Sequence, residues 1–175
     1  TEMTQKITIF RNIKETDTPF YVSVDKVLER IKNGKSKDLV KNIRKETDKS
    51  NRNELKKQLP AICFSGEFTN RKDSSLIEHS GFICLDFDGY EKQKTMISEK
   101  QKLTKDKYTY SVFVSPSGNG LKVLVKIPQD DENHVNYFIA LEKYYESKYF
   151  DKTCKNVSRV CYESYDPLLF LNKNS

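Results

Sequence analysis

The stretch GFICLDFDGY, residues 81–90, places two aspartates at the end of an apolar run of strand-forming residues. Successive side chains of a strand point to opposite faces, so Asp86 and Asp88 are expected on one face and Phe87 on the other. Two like charges this close repel each other, and a divalent cation between them would offset the repulsion. The pattern is equally typical of a strand that ends in a turn at Gly89, so the rest of the chain has to decide.

The composition is that of one globular domain with a very polar surface. The chain has 175 residues, of which 36% are hydrophobic and 32% charged, and this length is sufficient to bury a substantial core. No apolar run approaches the roughly 18 residues of a membrane span, and no signal peptide opens the chain, so a cytoplasmic protein without a membrane partner is predicted. The start at Thr1 and the polar end LNKNS are typical of a piece of a longer protein.

The charge balance favours a polyanionic partner. The net charge is +6, and much of the excess lies in residues 30–58 and 91–107. Each segment alone is typical of a solvated helix face, but the overall basicity favours nucleic acid. The cysteines lack zinc-ligand spacing and are interpreted as reduced thiols in or near the core; they are Cys63, Cys84, Cys154 and Cys161. The two histidines, His79 and His134, are interpreted as structural or surface residues.

The periodicity of apolar residues predicts an α+β domain with a mostly antiparallel sheet and helices packed on its faces. Residues 1–58 are expected to form a basic helical lobe, and residues 59–175 the α+β core. In the lobe we expect an edge strand at 6–12, helices at 23–34 and 37–46, and a loop at 48–53. In the core we expect strands at 61–68, 82–86, 108–115, 120–127, 158–166 and 168–172, and helices at 92–105 and 131–150. The last helix carries an apolar stripe interpreted as core, which consists of Val135, Phe138, Ile139, Leu141 and Tyr145.

A second informative stretch is SPSGNGLKVLV, residues 115–125. Its two glycines and two serines lie between strands, so backbone N–H groups there can approach a ligand closely. Lys122 follows Gly120 by two residues and can place an ammonium group on a phosphate. A Gly-containing hairpin with an exposed lysine would look the same. The stretch is not the nucleotide loop GxxxxGK[ST], because β-branched residues follow where that loop requires a helix.

The third stretch is SRVCYESYDP, residues 158–167. Arg159 lies at the start of a predicted strand and offers a rigid fork of donors suited to phosphate oxygens. Asp166 lies at its end, just before a proline. Alone, the two residues are equally typical of a surface arginine and an ordinary Asp-Pro turn.

Together the three stretches are the parts of a nucleotidyl-transfer site. Such a site uses carboxylates to hold divalent ions, one activating the attacking hydroxyl and one neutralising the leaving pyrophosphate. Cationic side chains and backbone N–H groups bind the triphosphate. Mg²⁺ needs only one or two carboxylates per ion, because substrate phosphates supply further ligands. The sequence therefore predicts Mg²⁺ or Mn²⁺ bound by Asp86, Asp88 and Asp166.

The order LDFD, SPSGNGLK, RVCYESYDP resembles the three motifs of the archaeo-eukaryotic primase superfamily, the primase-polymerases. Four longer blocks are similar to the amino-terminal domain of virulence-associated protein E-type proteins of bacteroidetes and their mobile elements: LPAICFSGEF, EHSGFICLDFD, SPSGNGLKVLV and VSRVCYESYDPLLFLN. The similarity spans about residues 5–172. It implies a primase-polymerase fold with an RRM-like catalytic core, a single-stranded DNA template, nucleoside triphosphates as substrates, and a fused or associated ATPase or helicase region.

The resemblance also assigns roles to individual residues. Asp86 and Asp88 match the metal-binding acids of the first motif, and Asp166 matches the acid of the third. The second motif, which contacts the incoming nucleotide, is matched by Ser115, Ser117, Gly118, Gly120 and Lys122. Lys122 departs from the usual pattern, because many primase-polymerases have a histidine there that touches the triphosphate.

Three functions fit these residues. The first is DNA-template-dependent nucleotidyl transfer in the replication of a bacterial mobile element or phage. The second is a non-catalytic replication-initiation module that binds DNA and nucleotide; the three retained acids argue against it, and Lys122 argues mildly for it. The third is a metal-dependent nuclease, for which the three acids would serve but the Ser/Gly loop would have no evident role.

Overall fold

The computed structural model describes residues 5–172 and 174, and in this part of the chain five α-helices accompany three antiparallel sheets. None of these helices is long and apolar enough to cross a membrane. Short 3₁₀ turns cover residues 73–75 and 131–133. The elements in chain order are β1 (Lys6–Phe10), β2 (Pro19–Ser23), α1 (Val24–Asn33), α2 (Lys37–Lys45), α3 (Lys49–Lys56), β3 (Ala61–Cys63), β4 (Gly66–Phe68), β5 (Leu76–His79), β6 (Phe82–Phe87), α4 (Gln93–Thr104), β7 (Thr109–Val114), β8 (Leu121–Lys126), α5 (His134–Tyr145), β9 (Cys161–Tyr162) and β10 (Phe170–Leu171).

Two four-stranded sheets form the frame of the molecule. The central sheet has the strand order β10-β7-β8-β6, and the N-terminal sheet has the order β2-β1-β3-β9. All neighbouring strands in both sheets are antiparallel, which confirms the predicted α+β class. The predicted division of the chain at residues 58 and 59 runs through the N-terminal sheet, because β1 and β2 precede it and β3 and β9 follow it.

The prediction that residues 6–12 form an edge strand is wrong. β1 lies between β2 and β3, and its last four residues are buried on both faces of the sheet. Thr8, a polar residue of this strand, is fully buried, and its hydroxyl donates to the Gly66 carbonyl oxygen at 2.8 Å. The Thr8 hydroxyl also accepts from the Phe68 N–H at 2.9 Å, so β1 is fastened to β4 as well.

The core lies on both faces of the central sheet. On one face, Phe82, Phe113 and Leu124 pack against the N-terminal sheet and against α1. On the other face, Leu85 and Phe87 pack with apolar residues of α4 and α5. Because side chains alternate along β6, Asp86 points to the same face as Phe82, near the C-terminal end of the strand.

Helix α1 agrees closely with its prediction. The Ser23 hydroxyl accepts a hydrogen bond from the Lys26 N–H at 3.2 Å, as an N-cap residue does. The helix ends at Gly34, whose φ of 87° is the left-handed conformation that glycine adopts without strain. Helices α2 and α4 and the hairpin of β7 and β8 also lie where they were predicted.

Three other predictions need correction. The segment predicted as a loop at 48–53 contains most of α3, whose first turn is capped by the Asp48 side chain accepting from the Asn51 N–H at 2.9 Å. The predicted strand at 61–68 is two strands, β3 and β4, joined by a turn. The apolar stripe of α5 is only partly core, since Phe138 is buried while Val135 and Ile139 are 40% and 42% exposed.

Candidate functional site

The end of β6 is paired on both of its edges. On one edge Asp86 lies opposite Lys122 of β8. On the other edge Phe87 forms a β-bridge with Phe150, the Asp151 N–H donates to the Asp86 carbonyl at 2.8 Å, and the Asp88 N–H donates to the Tyr149 carbonyl at 2.8 Å. This antiparallel register sets Asp151 directly opposite Asp86 on the same face.

The carboxylate of Asp86 contacts a cation and a thiol. Its Oδ1 lies 2.9 Å from Lys122 Nζ, and its Oδ2 lies 3.3 Å from the Cys154 sulfur. Burial acts to lower the pKa of Lys122, but Asp86, through its charge and its hydrogen bond, and the neighbouring Cys161 and Cys84 together outweigh burial and raise this pKa above the ordinary value, so the ammonium stays charged. The pair is only slightly exposed, at 17% and 19% for the two side chains.

Asp86, Asp151 and Cys154 form a group that could hold a metal ion, since their ligand atoms all lie within 4.8 Å of one another. The Cys154 sulfur lies 3.3 Å from an oxygen of each carboxylate. Burial, and then the charge of Asp86, raise the pKa of Cys154, so the thiol stays protonated at neutral pH. Burial also acts to raise the pKa of Asp151, but hydrogen bonds from Thr153 and Cys154 and the charge of Arg159 together outweigh it and lower that pKa, so Asp151 is a carboxylate.

Asp88 and the Ser/Gly loop border a cavity of about 200 Å³. The predicted site residues that line it are Asp86, Asp88, Ser115, Ser117, Gly120, Lys122 and Arg159. At Gly120 a Cβ atom would lie 2.9 Å from the Phe87 carbonyl oxygen and 3.1 Å from Asp88 Oδ1. Only glycine therefore allows the start of β8 to approach the acids this closely. The buried Ser115 hydroxyl has no hydrogen-bond partner among the described residues.

The loop itself is a tight turn between β7 and β8. The Ser115 N–H donates to the Gly120 carbonyl at 2.9 Å, and the Gly118 N–H donates to the Ser115 carbonyl at 3.0 Å. Gly118 has a φ of 81° and lies against Arg44. It does not line the cavity of Asp86, so its role is to shape the turn.

The structure does not bring Asp166 to the other two acids. Its Oδ2 accepts from the Val114 N–H at 2.9 Å and lies 2.9 Å from Lys100 Nζ, and its Oδ1 accepts from the Leu168 N–H at 2.9 Å. The Val114 N–H points away from β8, because the next N–H along the chain, that of Ser115, donates to the carbonyl of Gly120 just before β8. Two strands therefore separate Asp166 from Asp86 on β6. Asp166 is 5% exposed and fully paired, which corrects the prediction that it joins the metal site.

Sequence reasoning missed Asp151. The signal is faint, because a single acid after the aromatic pair Tyr149 and Phe150 does not stand out from the surrounding polar residues. The apolar-to-acid step at residues 150–151 nevertheless repeats the step at residues 85–86. Only the pairing of the two segments, 65 positions apart in sequence, brings these acids together.

The comparison with protein families identifies the chain. Residues 54–170 match a family described as "BT4734-like, N-terminal domain", which is associated with Bacteroidetes. The chain belongs to this family. The BT4734-like region contains Asp86, Asp88, Asp151 and the whole Ser/Gly loop, and it begins within α3. No curated protein and no solved structure matches the chain.

Proposed function

We propose that this BT4734-like domain is a DNA-template-dependent nucleotidyl transferase of the primase-polymerase type, acting in the replication of a bacterial mobile element or phage. The observation that supports this most strongly is that Asp86 and Asp88 border the same cavity as Ser115, Lys122 and Arg159. Acids that can hold a cation thus face groups that can bind phosphate, which is the pairing that nucleotidyl transfer requires.

The donor atoms suit a hard divalent cation. Asp86 and Asp151 offer carboxylate oxygens, and Mg²⁺ or Mn²⁺ takes one or two such ligands together with substrate phosphates. The sulfur of Cys154 is a poor ligand for these hard ions, which prefer oxygen ligands. Bound Mg²⁺ or Mn²⁺ would lower the pKa of the attacking 3′-hydroxyl and neutralise charge on the departing pyrophosphate.

The other side chains position the nucleotide. Arg159 is exposed beside the acids and offers a fork of donors to phosphate oxygens. Gly120 keeps the floor of the cavity open, and the unpaired Ser115 hydroxyl borders it. Lys122 orients the Asp86 carboxylate through their 2.9 Å contact.

The test is primer extension and de novo synthesis on a single-stranded DNA template, with NTPs or dNTPs and with Mg²⁺ or Mn²⁺. We expect metal-dependent incorporation by the wild-type chain and its loss in Asp88→Asn, which keeps the shape of the side chain and removes its charge. Asp17→Asn, at an exposed acid that does not line the cavity, is the control and should incorporate normally. Cleavage of the template without incorporation would favour a metal-dependent nuclease.

A second candidate function is a DNA- and nucleotide-binding module without catalysis. The observation that favours it is the ion pair of Lys122 with Asp86, which occupies one oxygen of the central acid. This candidate becomes the better answer if the wild-type chain binds template and triphosphate but incorporates nothing with either metal ion.

A further inference from the structure

Helix α3 presents a row of cations to the site. Lys49, Arg52 and Lys56 are spaced three and four residues apart, so they share one face of the helix. All three line a cavity of about 510 Å³, to which Lys148 adds a fourth cation. Lys49 and Arg52 precede the part of the chain that matches the family.

Two acids also line this cavity. Asp88 and Asp151 line it together with the end of the Ser/Gly loop. It adjoins the smaller cavity of Asp86, because Lys56, Asp88 and Ser117 border both. A ligand that fills the larger cavity therefore reaches the acids at the end of β6.

The positive charge in the larger cavity is only partly balanced by the protein, since four cations line the cavity with two acids. In residues 5–172, none of its four cations forms a salt bridge with a carboxylate, whereas Lys57 and Lys152 nearby in sequence are paired with Glu54 and Glu142. Burial lowers the pKa of Lys56, and repulsion from Arg52 and Lys122 lowers it further. An anion in the cavity would relieve this repulsion.

The presence of both charge signs narrows the choice of anion. A lone phosphodiester would gain from the four cations but would be repelled by Asp88 and Asp151. A polyphosphate that carries a divalent ion suits both kinds of side chain in the cavity, since its oxygens can bind the cations and its metal ion can bind the acids.

We propose that the cavity between α3 and Lys148 binds the phosphate chain of a metal-bound nucleoside triphosphate. This inference rests on the proposed function, in which a nucleoside triphosphate is the substrate. Arg52 and Lys148 contact phosphate oxygens from two sides of the cavity, and Lys56, at the junction with the smaller cavity, contacts the end of the chain nearest Asp86.

The experiment measures dissociation constants by calorimetric titration with Mg²⁺-bound nucleoside triphosphate, nucleoside monophosphate and inorganic tripolyphosphate. The test variants are Arg52→Gln and Lys148→Gln, and the matched controls are Lys57→Gln and Lys152→Gln, which remove one positive charge each outside the cavity. Each test variant should weaken binding of triphosphate and tripolyphosphate about tenfold or more, while each control should change it less than about twofold.

The outcomes separate this inference from the proposed function. Test variants that bind both triphosphate probes as tightly as the controls would overturn the inference, even if the wild-type chain extends primers. Test variants that lose affinity for a single-stranded oligonucleotide but keep it for triphosphate would also overturn it, because the cavity would then bind the DNA backbone. If only the test variants lose triphosphate binding and the wild-type chain incorporates no nucleotide, the inference is supported and the proposed reaction is refuted.

Discussion

Replacing Lys122 with Gln should destabilise the fold and expose how much the site depends on its central ion pair. Two unit charges 2.9 Å apart attract by about 6 kcal/mol at an effective dielectric constant of about 20. Desolvation offsets much of this attraction, but removing one partner leaves the other charge buried and unpaired. Because 19% of the Asp86 side chain remains exposed to water, we expect a loss near the lower end of the range for such pairs, about 3 kcal/mol.

The assay is a double-mutant cycle of Lys122→Gln and Asp86→Asn, followed by urea unfolding and thermal unfolding. For a chain of this length, about 3 kcal/mol corresponds to a fall in Tm of roughly 6–12 °C. The double variant should be about 2 kcal/mol more stable than the sum of the single losses predicts. Single losses that add within about 0.5 kcal/mol would refute the reasoning, because they would show that the two charges do not interact.

The same variants test whether a metal ion uses Asp86. Lys122 competes with a cation for this carboxylate, so Lys122→Gln should bind Mn²⁺ more tightly than the wild-type chain and gain more stability from it. Asp86→Asn should gain little. Equal Mn²⁺ affinity in the wild-type chain and in Lys122→Gln would place the ion elsewhere.

Three further predictions concern other parts of the structure. Arg30→Ala should cost about 3–5 kcal/mol in urea unfolding, because Glu163 is fully buried and its carboxylate is held by Arg30 at 2.8 Å and 3.1 Å; a loss below about 1 kcal/mol would contradict this. Gly120→Ala should cost about 1–3 kcal/mol and abolish triphosphate binding, because its Cβ would lie 2.9 Å from a backbone oxygen of β6. Burial, and then His79, lower the pKa of His134 to about 4, so the unfolded chain binds an extra proton below about pH 6.5 and stability should fall from there toward pH 4. His134→Gln should flatten that pH dependence, and an unchanged slope would contradict the assignment.

The elements that could be predicted are those whose position is marked by local residues or patterns in the sequence. Ser23 and Gly34 mark the two ends of α1, and runs of apolar, strand-forming residues mark β6 and β8. Helix α3 could not be found by periodicity, because none of its residues is buried and its face toward the site is cationic. The position of β1 was mistaken because a buried threonine with a backbone partner has the same sequence signal as an exposed one.

The residues of the candidate site also fall into two groups, those that local sequence patterns predict and those that depend on long-range pairing. Asp86, Asp88 and the Ser/Gly loop are local patterns, so the sequence places them correctly beside one another. The choice of the third acid depends on long-range pairing. Asp166 looks like a ligand because it lies at the end of a predicted strand and matches the acid of the third motif, yet its carboxylate is occupied by donors from β7 and α4. Asp151 joins Asp86 through a single β-bridge that no periodicity reveals.

Replacing each of these two acids separately with asparagine tests which one belongs to the metal site. Asp151→Asn keeps an oxygen that can accept from the Thr153 N–H, now 2.9 Å from Asp151 Oδ1, so the fold should lose less than about 1 kcal/mol. Its negative charge beside Asp86 is lost, so Mn²⁺ affinity should fall about tenfold or more. Asp166→Asn should behave in the opposite way, because one oxygen that now accepts from Val114 and Lys100 becomes a donor in a buried place, at a cost of about 3 kcal/mol.

The measurement is Mn²⁺ titration followed by electron paramagnetic resonance, with urea unfolding of the same preparations. We expect Asp151→Asn to lose metal and keep its stability, and folded Asp166→Asn at low temperature to bind Mn²⁺ as the wild-type chain does. If Asp166→Asn loses Mn²⁺ while Asp151→Asn retains it, the register between β6 and residues 149–151 does not define the site. The third ligand would then be the acid that the resemblance to primase-polymerases implies, and β7 and α4 would have to release it before an ion could bind.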